Sequence, residues 1–202
     1  MSPEMQQLFT MQQHVLFGPK APLKSLDDDD LVIGQISQPQ ATEEFHSSTR
    51  CLLAVDKIKH PENMGLLLSS AVALKFDGIV FSAECADPFC YKVLEASQAV
   101  AWTLPYRYAT AQQLVELCER HELLLCAAHT DGKPASEVMQ NLSGQRGFCL
   151  VVGNEADGVH AGLLRSCMQV ALPMSELMES LNAGVAGGIL MHALTCAWMQ
   201  HW

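Results

Sequence analysis

The sequence contains few basic residues. Its 202 residues include only 12 Lys and Arg against 22 Asp and Glu, which gives a formal net charge of −10. Proteins that hold nucleic acid through electrostatics usually present a basic patch, because neutralising phosphates releases counterions. The nearest local cluster is Lys57 with Lys59, and two solvated lysines beside a strand are also common in proteins that bind no nucleic acid. The charge alone therefore gives no support to nucleic-acid binding.

Long apolar runs are also absent. No stretch of about 18 uncharged apolar residues occurs, so no transmembrane helix is predicted. The first residues, Met1 to Gln7, lack the positively charged and apolar regions of a secretory signal peptide. We therefore predict a cytoplasmic protein with no membrane partner.

The cysteines and histidines lack the spacings of metal sites and redox motifs. There are eight of each and no CxxC pair, and five of the cysteines lie within apolar runs: Cys51, Cys118, Cys126, Cys149 and Cys196. This placement predicts mostly buried free thiols rather than disulfides. The histidine spacing predicts no metal site.

The chain divides into an extension and one domain. Residues 1–48 include a possible short helix over 4–16, four consecutive aspartates at 27–30, and a polar, turn-rich stretch from residue 35 onward. From residue 49 the composition becomes that of a globular domain, and the whole chain is 49% apolar and 17% charged. We therefore predict an N-terminal extension at 1–48 and a single domain at 49–202.

Within this domain, apolar strand-like runs alternate with helical patterns. Strands are predicted at 51–55, 78–81, 102–106, 123–127, 148–152 and 168–172, and helices at 63–76, 92–99, 111–121 and 180–198. Strands that alternate with helices indicate an α/β fold, a parallel sheet with helices on both faces.

Three segments each join an apolar run to a small polar turn that opens a helix. They are His60–Gly65, Val152–Gly158, and Leu172–Met174 followed by Ser180–Ala186. In α/β proteins such junctions bind ligands, outside the carboxyl ends of the strands. Glycines within the second segment permit tight turns and close ligand approach. In the third segment the Ser180 hydroxyl is expected to cap the helix, and the asparagine at the helix opening, Asn182, can also hold a polar ligand.

In this order and spacing the segments resemble the three motifs of the SpoU (TrmH-type) RNA methyltransferases, of the SPOUT class. The resemblance covers about residues 50–200 and implies a C-terminal trefoil knot, which nothing in the periodicity shows. It also implies S-adenosyl-L-methionine as the cofactor, bent against the knot loops. Ala183 and Gly184 depart mildly from the family's Ser-Leu-Asn-Val-Ser-Val-Ala.

The same resemblance implies the site residues. Those expected to bind the cofactor are Thr130, Val152, Gly153, Asn154, Gly158, Leu172, Met174, Leu181 and Asn182. Those expected in the catalytic centre are Asn63, Glu155, Ser180 and Asn182.

One family residue is missing from the first motif. The residues that match the family are Pro61, Asn63, Gly65, Ser70 and Ala71. Ser69 stands where the family has an arginine that acts on the ribose 2′-hydroxyl or the adjacent phosphate. A serine is uncharged and cannot bind phosphate bidentately. The resemblance therefore implies an RNA 2′-O-methyltransferase acting on tRNA or rRNA. The alternative is a catalytically impaired SPOUT-fold protein that binds the cofactor as a regulatory subunit.

The resemblance also implies a homodimer, formed through the first-motif helix and the terminal helix. The terminal helix offers an apolar surface: Ile189, Leu190, Leu194 and Trp198. An exposed patch of that size is unusual on a monomer. The alternative is that this face packs on the chain's own sheet.

Overall fold

The fold is a six-stranded parallel sheet, seen in a computed structural model that describes residues 37–140, 144–154 and 156–199. The strand order is β3-β2-β1-β5-β4-β6. The strands are β1 (Cys51–Asp56), β2 (Gly78–Phe81), β3 (Tyr106–Tyr108), β4 (Leu123–Pro134), β5 (Gly147–Gly153) and β6 (Met168–Ala171). The helices are α1 (Pro61–Ala73), α2 (Tyr91–Ser97), α3 (Ala111–Arg120), α4 (Ala135–Met139), α5 (Ala161–Leu164) and α6 (Ala183–Met199), with a 3₁₀ turn at Val100–Thr103.

Both faces of the sheet are covered by helices. All six residues of β1 are buried, and because side chains alternate along a strand, they contribute to two separate cores. Leu53 and Val55 pack in the core formed with α1, α2, α4 and α6. Leu52 and Ala54 pack in the core formed with α3 and α5. The predicted α/β fold with helices on both faces is thus confirmed.

Most elements lie within a few residues of the predicted positions, but one predicted strand is wrong. Residues 102–105 do not form a strand. Instead Val100–Thr103 form a 3₁₀ turn, and β3 begins only at Tyr106. The Thr103 hydroxyl donates to the Val100 carbonyl at 2.7 Å, and the Trp102 ring packs edge-on against Phe89. These local contacts stabilise the 3₁₀ turn, although the apolar pattern of the sequence favoured an extended strand in this segment.

The polar stretch before β1 lies against the β3 edge of the sheet. The Thr42 amide donates to the Tyr106 carbonyl at 2.7 Å, and the Tyr106 hydroxyl donates to the Pro39 carbonyl at 2.9 Å. Phe45 is buried in the second core. Residues 37–49 therefore cover an edge that would otherwise expose unpaired backbone groups. The helix predicted over 4–16 and the aspartates at 27–30 lie outside the described residues.

Among the described residues, none of the helices has both the length and the apolar character needed to cross a bilayer.

Candidate functional site

A cavity of about 350 Å³ opens at the carboxyl ends of β4, β5 and β6, and we call it the β4–β6 cavity. Its lining comes from β4, the turn after β5, the segment after β6, and α6: Ala128, His129, Thr130, Val152, Gly153, Asn154, Ala156, Asp157, Gly158, Val170, Leu172, Met174, Ser180, Leu181, Ala183, Ala186 and Leu190. Its size falls within the ~300–1,000 Å³ typical of small-molecule sites. Its lining combines apolar side chains with backbone groups of a tight turn.

The structure brings most of the sequence-predicted cofactor residues together at this cavity. Eight of the nine line it: Thr130, Val152, Gly153, Asn154, Gly158, Leu172, Met174 and Leu181. Ser180, predicted as catalytic, lines it too. Asn182 does not line the cavity and instead bonds to the first motif.

Sequence reasoning missed the contribution of α6 to this cavity. Ala183, Ala186 and Leu190 line it from one side of the helix. Their spacing of three and four residues is the period of a single helix face, so a helical projection of this segment was the signal that could have found them.

The turn after β5 is shaped by two glycines and an asparagine. A Cβ added to Gly153 would overlap the backbone of Gly158, and Gly158 itself has φ +67°, a conformation that favours glycine. The Asn154 side-chain oxygen accepts the Ala156 amide at 2.7 Å, and the Gly158 amide donates to the Asn154 carbonyl at 2.9 Å. These contacts hold the turn closely against the cavity. Glu155, the predicted catalytic carboxylate of this turn, lies outside the described residues.

Two of the predicted catalytic residues are in direct contact. The Asn182 side-chain amide donates to the side-chain oxygen of Asn63 at 2.8 Å, although 119 positions separate them in the sequence. Asn63 is buried near the start of α1. The first and third motifs are therefore joined by one hydrogen bond next to the cavity.

Asn182 rather than Ser180 caps α6, so the sequence prediction of a Ser180 cap is wrong. The side-chain oxygen of Asn182 accepts the amides of Gly184 at 3.0 Å and Val185 at 3.2 Å. Asparagine is among the strongest N-cap residues, and the helix begins at Ala183. Ser180 lies in the exposed segment before the helix, where it lines the cavity.

Ser69 makes a local contact on α1. Its hydroxyl donates to the Leu66 carbonyl of the same helix at 3.0 Å. Of the basic residues near this helix, Lys57 forms an ion pair with Glu84 at 2.8 Å, and hydrogen bonding to Glu84 raises the pKa of Lys57. Arg50 donates to the Thr49 carbonyl at 3.2 Å, while Lys59 is exposed. Lys57 and Arg50 are thus engaged elsewhere, and Lys59 is the exposed cation near the start of α1.

Comparison with known proteins agrees with this geometry. A model of the SpoU rRNA Methylase family matches residues 50–192. The uncharacterized tRNA/rRNA methyltransferase slr1673 of Synechocystis is 28% identical over 190 residues, covering 90% of this chain and 65% of that protein. The 23S rRNA (guanosine(2553)-2'-O)-methyltransferase RlmP of Bacillus subtilis is 32% identical over 154 residues, covering 75% of this chain and 60% of that protein.

Among solved structures, the SpoU methyltransferase AviRb from Streptomyces viridochromogenes, in complex with AdoMet, superimposes with a TM-score of 0.65. It is 20% identical and the match covers 76% of this chain and 62% of that one, a likeness that shows the fold. The chain spans about three fifths of the length of the curated relatives it matches. With the three motifs placed at one end of the sheet and the family model matching most of the domain, the chain belongs to the SpoU rRNA methylase family.

Proposed function

We propose that this chain is an S-adenosyl-L-methionine-dependent ribose 2′-O-methyltransferase that acts on tRNA or rRNA. The observation that supports it best is the convergence of eight predicted cofactor residues on the β4–β6 cavity. RlmP is named a 2'-O-methyltransferase of 23S rRNA, and the AviRb structure holds AdoMet. A C-terminal trefoil knot, implied by the sequence resemblance, is part of this proposal, and so is a cytoplasmic location.

The cavity suits the cofactor in both size and chemistry. Leu172, Leu181 and Leu190 offer apolar surface for a flat adenine ring, and the Gly153–Gly158 turn offers backbone donors and acceptors nearby. Because Gly153 lacks a side chain, the turn closes on itself and its backbone stays accessible. When bound, S-adenosyl-L-methionine supplies an electrophilic methyl group on its sulfonium.

Methyl transfer also needs an aligned acceptor oxygen and a way to remove its proton. We assign both requirements to the chain's own residues. Asn63 and Asn182 form the polar pair next to the cavity, which we assign to positioning the ribose. Ser180 lines the cavity itself and is assigned a contact to cofactor or substrate. Glu155 is assigned to orienting groups at the same centre, as the family resemblance implies.

Cofactor binding is tested by filling the cavity from α6. Ala186→Leu adds three carbons to a residue that lines the cavity, and leucine is a strong helix former. We expect calorimetric titration with S-adenosylhomocysteine to show at least tenfold weaker binding. His192→Leu, at an exposed position of the same helix that does not line the cavity, should bind normally. Equal affinity of the two variants for S-adenosylhomocysteine would show that the cofactor does not bind in this cavity. Gly153→Trp is a poor probe, because any side chain there overlaps the Gly158 backbone.

A second candidate function is cofactor binding without catalysis, in a regulatory subunit. Ser69 favours it, since its hydroxyl contacts its own helix and it lacks the charge of the family arginine. We test the two functions with tritiated methyl transfer to total undermethylated RNA. We expect Ser69→Arg to raise transfer at least tenfold, because a guanidinium can bind phosphate and stabilise a developing oxyanion. Cofactor binding without transfer by either protein would favour the regulatory subunit.

Homodimer formation also belongs to this proposal. Leu190 and Leu194 of the predicted apolar surface are buried in the chain's own core, and Trp198 packs against that core. This part of the surface therefore follows the alternative left open in the sequence analysis, in which the face packs on the chain's own sheet. Ile189 remains exposed. Together with exposed Leu66 and Val185, it forms the apolar surface that we assign to the partner copy.

A further inference from the structure

A second cavity lies at the same edge of the sheet. None of the ligand residues predicted from the three motifs lines it. It has a volume of about 400 Å³ and opens at the carboxyl ends of β1, β2 and β3. It lies on the α3 and α5 side of the sheet, where Leu114 and Leu163 line it. We call it the β1–β3 cleft.

A buried carboxylate lies in this cleft. Asp56, the last residue of β1, is only 7% exposed and lines the cleft. One of its oxygens, Oδ2, accepts the His160 amide at 2.8 Å. Its other oxygen, Oδ1, has no hydrogen-bond donor among the described residues. Oδ1 is not among the described side-chain atoms that are both sealed from solvent and unpartnered, so it is open to the cleft that Asp56 lines and is available to a ligand that offers an N–H or O–H group.

The charges around Asp56 disfavour an anionic ligand. Glu84 also lines the cleft, and the one lysine there, Lys57, is already paired with Glu84 at 2.8 Å. Asp56, Glu84 and Lys57 of the lining together carry a formal charge of −1. A phosphate group would meet two carboxylates, so a neutral donor is favoured over a phosphate.

An aromatic ring at the cleft favours a flat ligand. Tyr108 lines the cleft and is 49% exposed, and its ring is held by Phe81 at a centroid separation of 5.8 Å. Burial raises the pKa of the Tyr108 hydroxyl, so that hydroxyl stays protonated at neutral pH. A fixed, half-exposed aromatic ring is a surface on which nucleic-acid bases stack.

The cleft adjoins the β4–β6 cavity. The Asn154 side-chain amide donates to the Lys57 carbonyl at 3.3 Å, and these two residues line the β4–β6 cavity and the β1–β3 cleft respectively. Lys57 itself has φ 57°, a conformation that is uncommon for a residue other than glycine, and its amide donates to Ser82 at 2.9 Å. The rims of the two openings are therefore in contact at this hydrogen bond, with the β4–β6 cavity on the α6 side of the sheet and the cleft on the α3 and α5 side.

We propose that the β1–β3 cleft binds an unstacked nucleobase of the RNA substrate, with a base amino group donating to Asp56 and the ring against Tyr108. This inference rests on the proposed function, since it places a base beside the site of methyl transfer. Sequence-specific recognition of RNA commonly uses unstacked bases that stack on aromatic side chains and bond through their edges. The cleft supplies one group of each kind.

The experiment uses nucleosides as probes, because they carry the base without phosphate. The protein is saturated with S-adenosylhomocysteine, and two-dimensional amide NMR spectra are recorded with guanosine, cytidine or N4,N4-dimethylcytidine. Cytidine and its dimethyl form differ in the amino hydrogens that would donate to Asp56. We expect guanosine and cytidine to shift amide signals at Asp56, Tyr108 and Thr110 in a saturable way, and the dimethyl form to bind about tenfold more weakly.

Two variants complete the test, and each replaces one carboxylate by a neutral amide. In Asp56→Asn the side-chain oxygen can still accept the His160 amide, but an NH₂ group replaces the free acceptor, so nucleoside binding should weaken about tenfold or more. Glu119→Gln, on the exposed side of α3, should bind like the unmodified protein. Circular dichroism confirms that both variants are folded.

The outcomes separate the two proposals. Amide shifts that are absent from the cleft, or unchanged in Asp56→Asn, overturn the base site while leaving cofactor binding intact. Nucleoside binding at the cleft together with no binding of S-adenosylhomocysteine supports the base site and overturns the proposed methyl transfer.

Discussion

The contact between α1 and α6 makes a quantitative prediction about two adjacent glycines. A Cβ added to Gly187 would overlap the Leu67 side chain and lie 3.2 Å from a Val152 methyl group. A Cβ added to Gly188 would lie 3.1 Å from the Ser70 hydroxyl and meet nothing else closely. The two positions share the same helix and the same substitution to alanine, and they differ in what the added methyl group meets.

The expected magnitudes follow from these surroundings. Leu67 and Val152 are fully or almost fully buried, so they have little room to move, and overpacking of this kind costs about 1–3 kcal/mol. Replacing a glycine within a helix by alanine stabilises the folded state by about 0.5–1 kcal/mol when no contact is disturbed. Gly187→Ala should therefore destabilise the fold by up to about 2.5 kcal/mol, with a central value of about 1 kcal/mol. Gly188→Ala should be neutral or stabilising by up to about 1 kcal/mol, because the half-buried Ser70 hydroxyl can rotate away.

Urea unfolding followed by circular dichroism measures both effects at one fixed protein concentration, because association would make stability depend on concentration. A lower midpoint at unchanged slope is the signature of a true stability loss. Val152 also lines the β4–β6 cavity, so Gly187→Ala should weaken S-adenosylhomocysteine binding as well. If Gly187→Ala proves as stable as Gly188→Ala, the close packing of α6 on α1 and β5 is not as described.

Two further predictions concern the surface. If Ile189, with Leu66 and Val185, forms the contact between two copies, Ile189→Asp should convert a dimer into a monomer in sedimentation equilibrium, and an unmodified chain that sediments only as monomer at micromolar concentration would contradict this. The ion pair between Glu44 and Arg120, at 2.6 Å, lowers the pKa of Glu44 chiefly through the Arg120 hydrogen bond. Its stabilising contribution is therefore complete above the ordinary Glu pKa and is lost as the pH falls through the lowered pKa. An NMR titration should show the pKa of Glu44 rise in Arg120→Met.

The sequence was most informative where the local pattern and the final structure agree. The strand at 51–55 and the helix over 111–121 were predictable because each has a simple signal. The first is a continuous apolar run that is buried on both faces. The second has buried Leu114, Leu117 and Cys118 at helical spacing, preceded by a capping box at Thr110. Both signals are contained within a dozen residues.

Other features depend on contacts between distant segments, and the local pattern could not supply them. The strand expected at 102–106 has the right composition, but a ring contact to Phe89 and a hydroxyl bond within Val100–Thr103 decide its conformation. The strand order places β5 between β1 and β4, and nothing in three similar apolar runs specifies which are neighbours. The two short helices α4 and α5 also escaped prediction, since five and four residues are too few to show a helical period.

The candidate site was predictable through motif resemblance, and the strand order explains why the motifs meet. Because β1 pairs with β5 in parallel, the segment after β1 and the turn after β5 leave the sheet at the same edge, where Asn154 reaches the Lys57 carbonyl. α6 then packs on α1, so that Asn182 reaches Asn63. The motif spacing fixes which residues are involved, but only the pairing of β1 with β5 brings them to one place.

The same arrangement separates the cavity that we assign to the cofactor from the position of the missing arginine. The β4–β6 cavity is built from β4, β5, the segment after β6 and α6, and Ser69 on α1 does not line it. Replacing the family arginine by Ser69 therefore leaves the cavity's lining unchanged while removing a positive charge from α1. Binding of S-adenosylhomocysteine should thus be equal in the unmodified chain and in Ser69→Arg, with any difference confined to methyl transfer. A change in affinity between these two proteins would show that α1 shapes the cavity more directly than its contacts indicate.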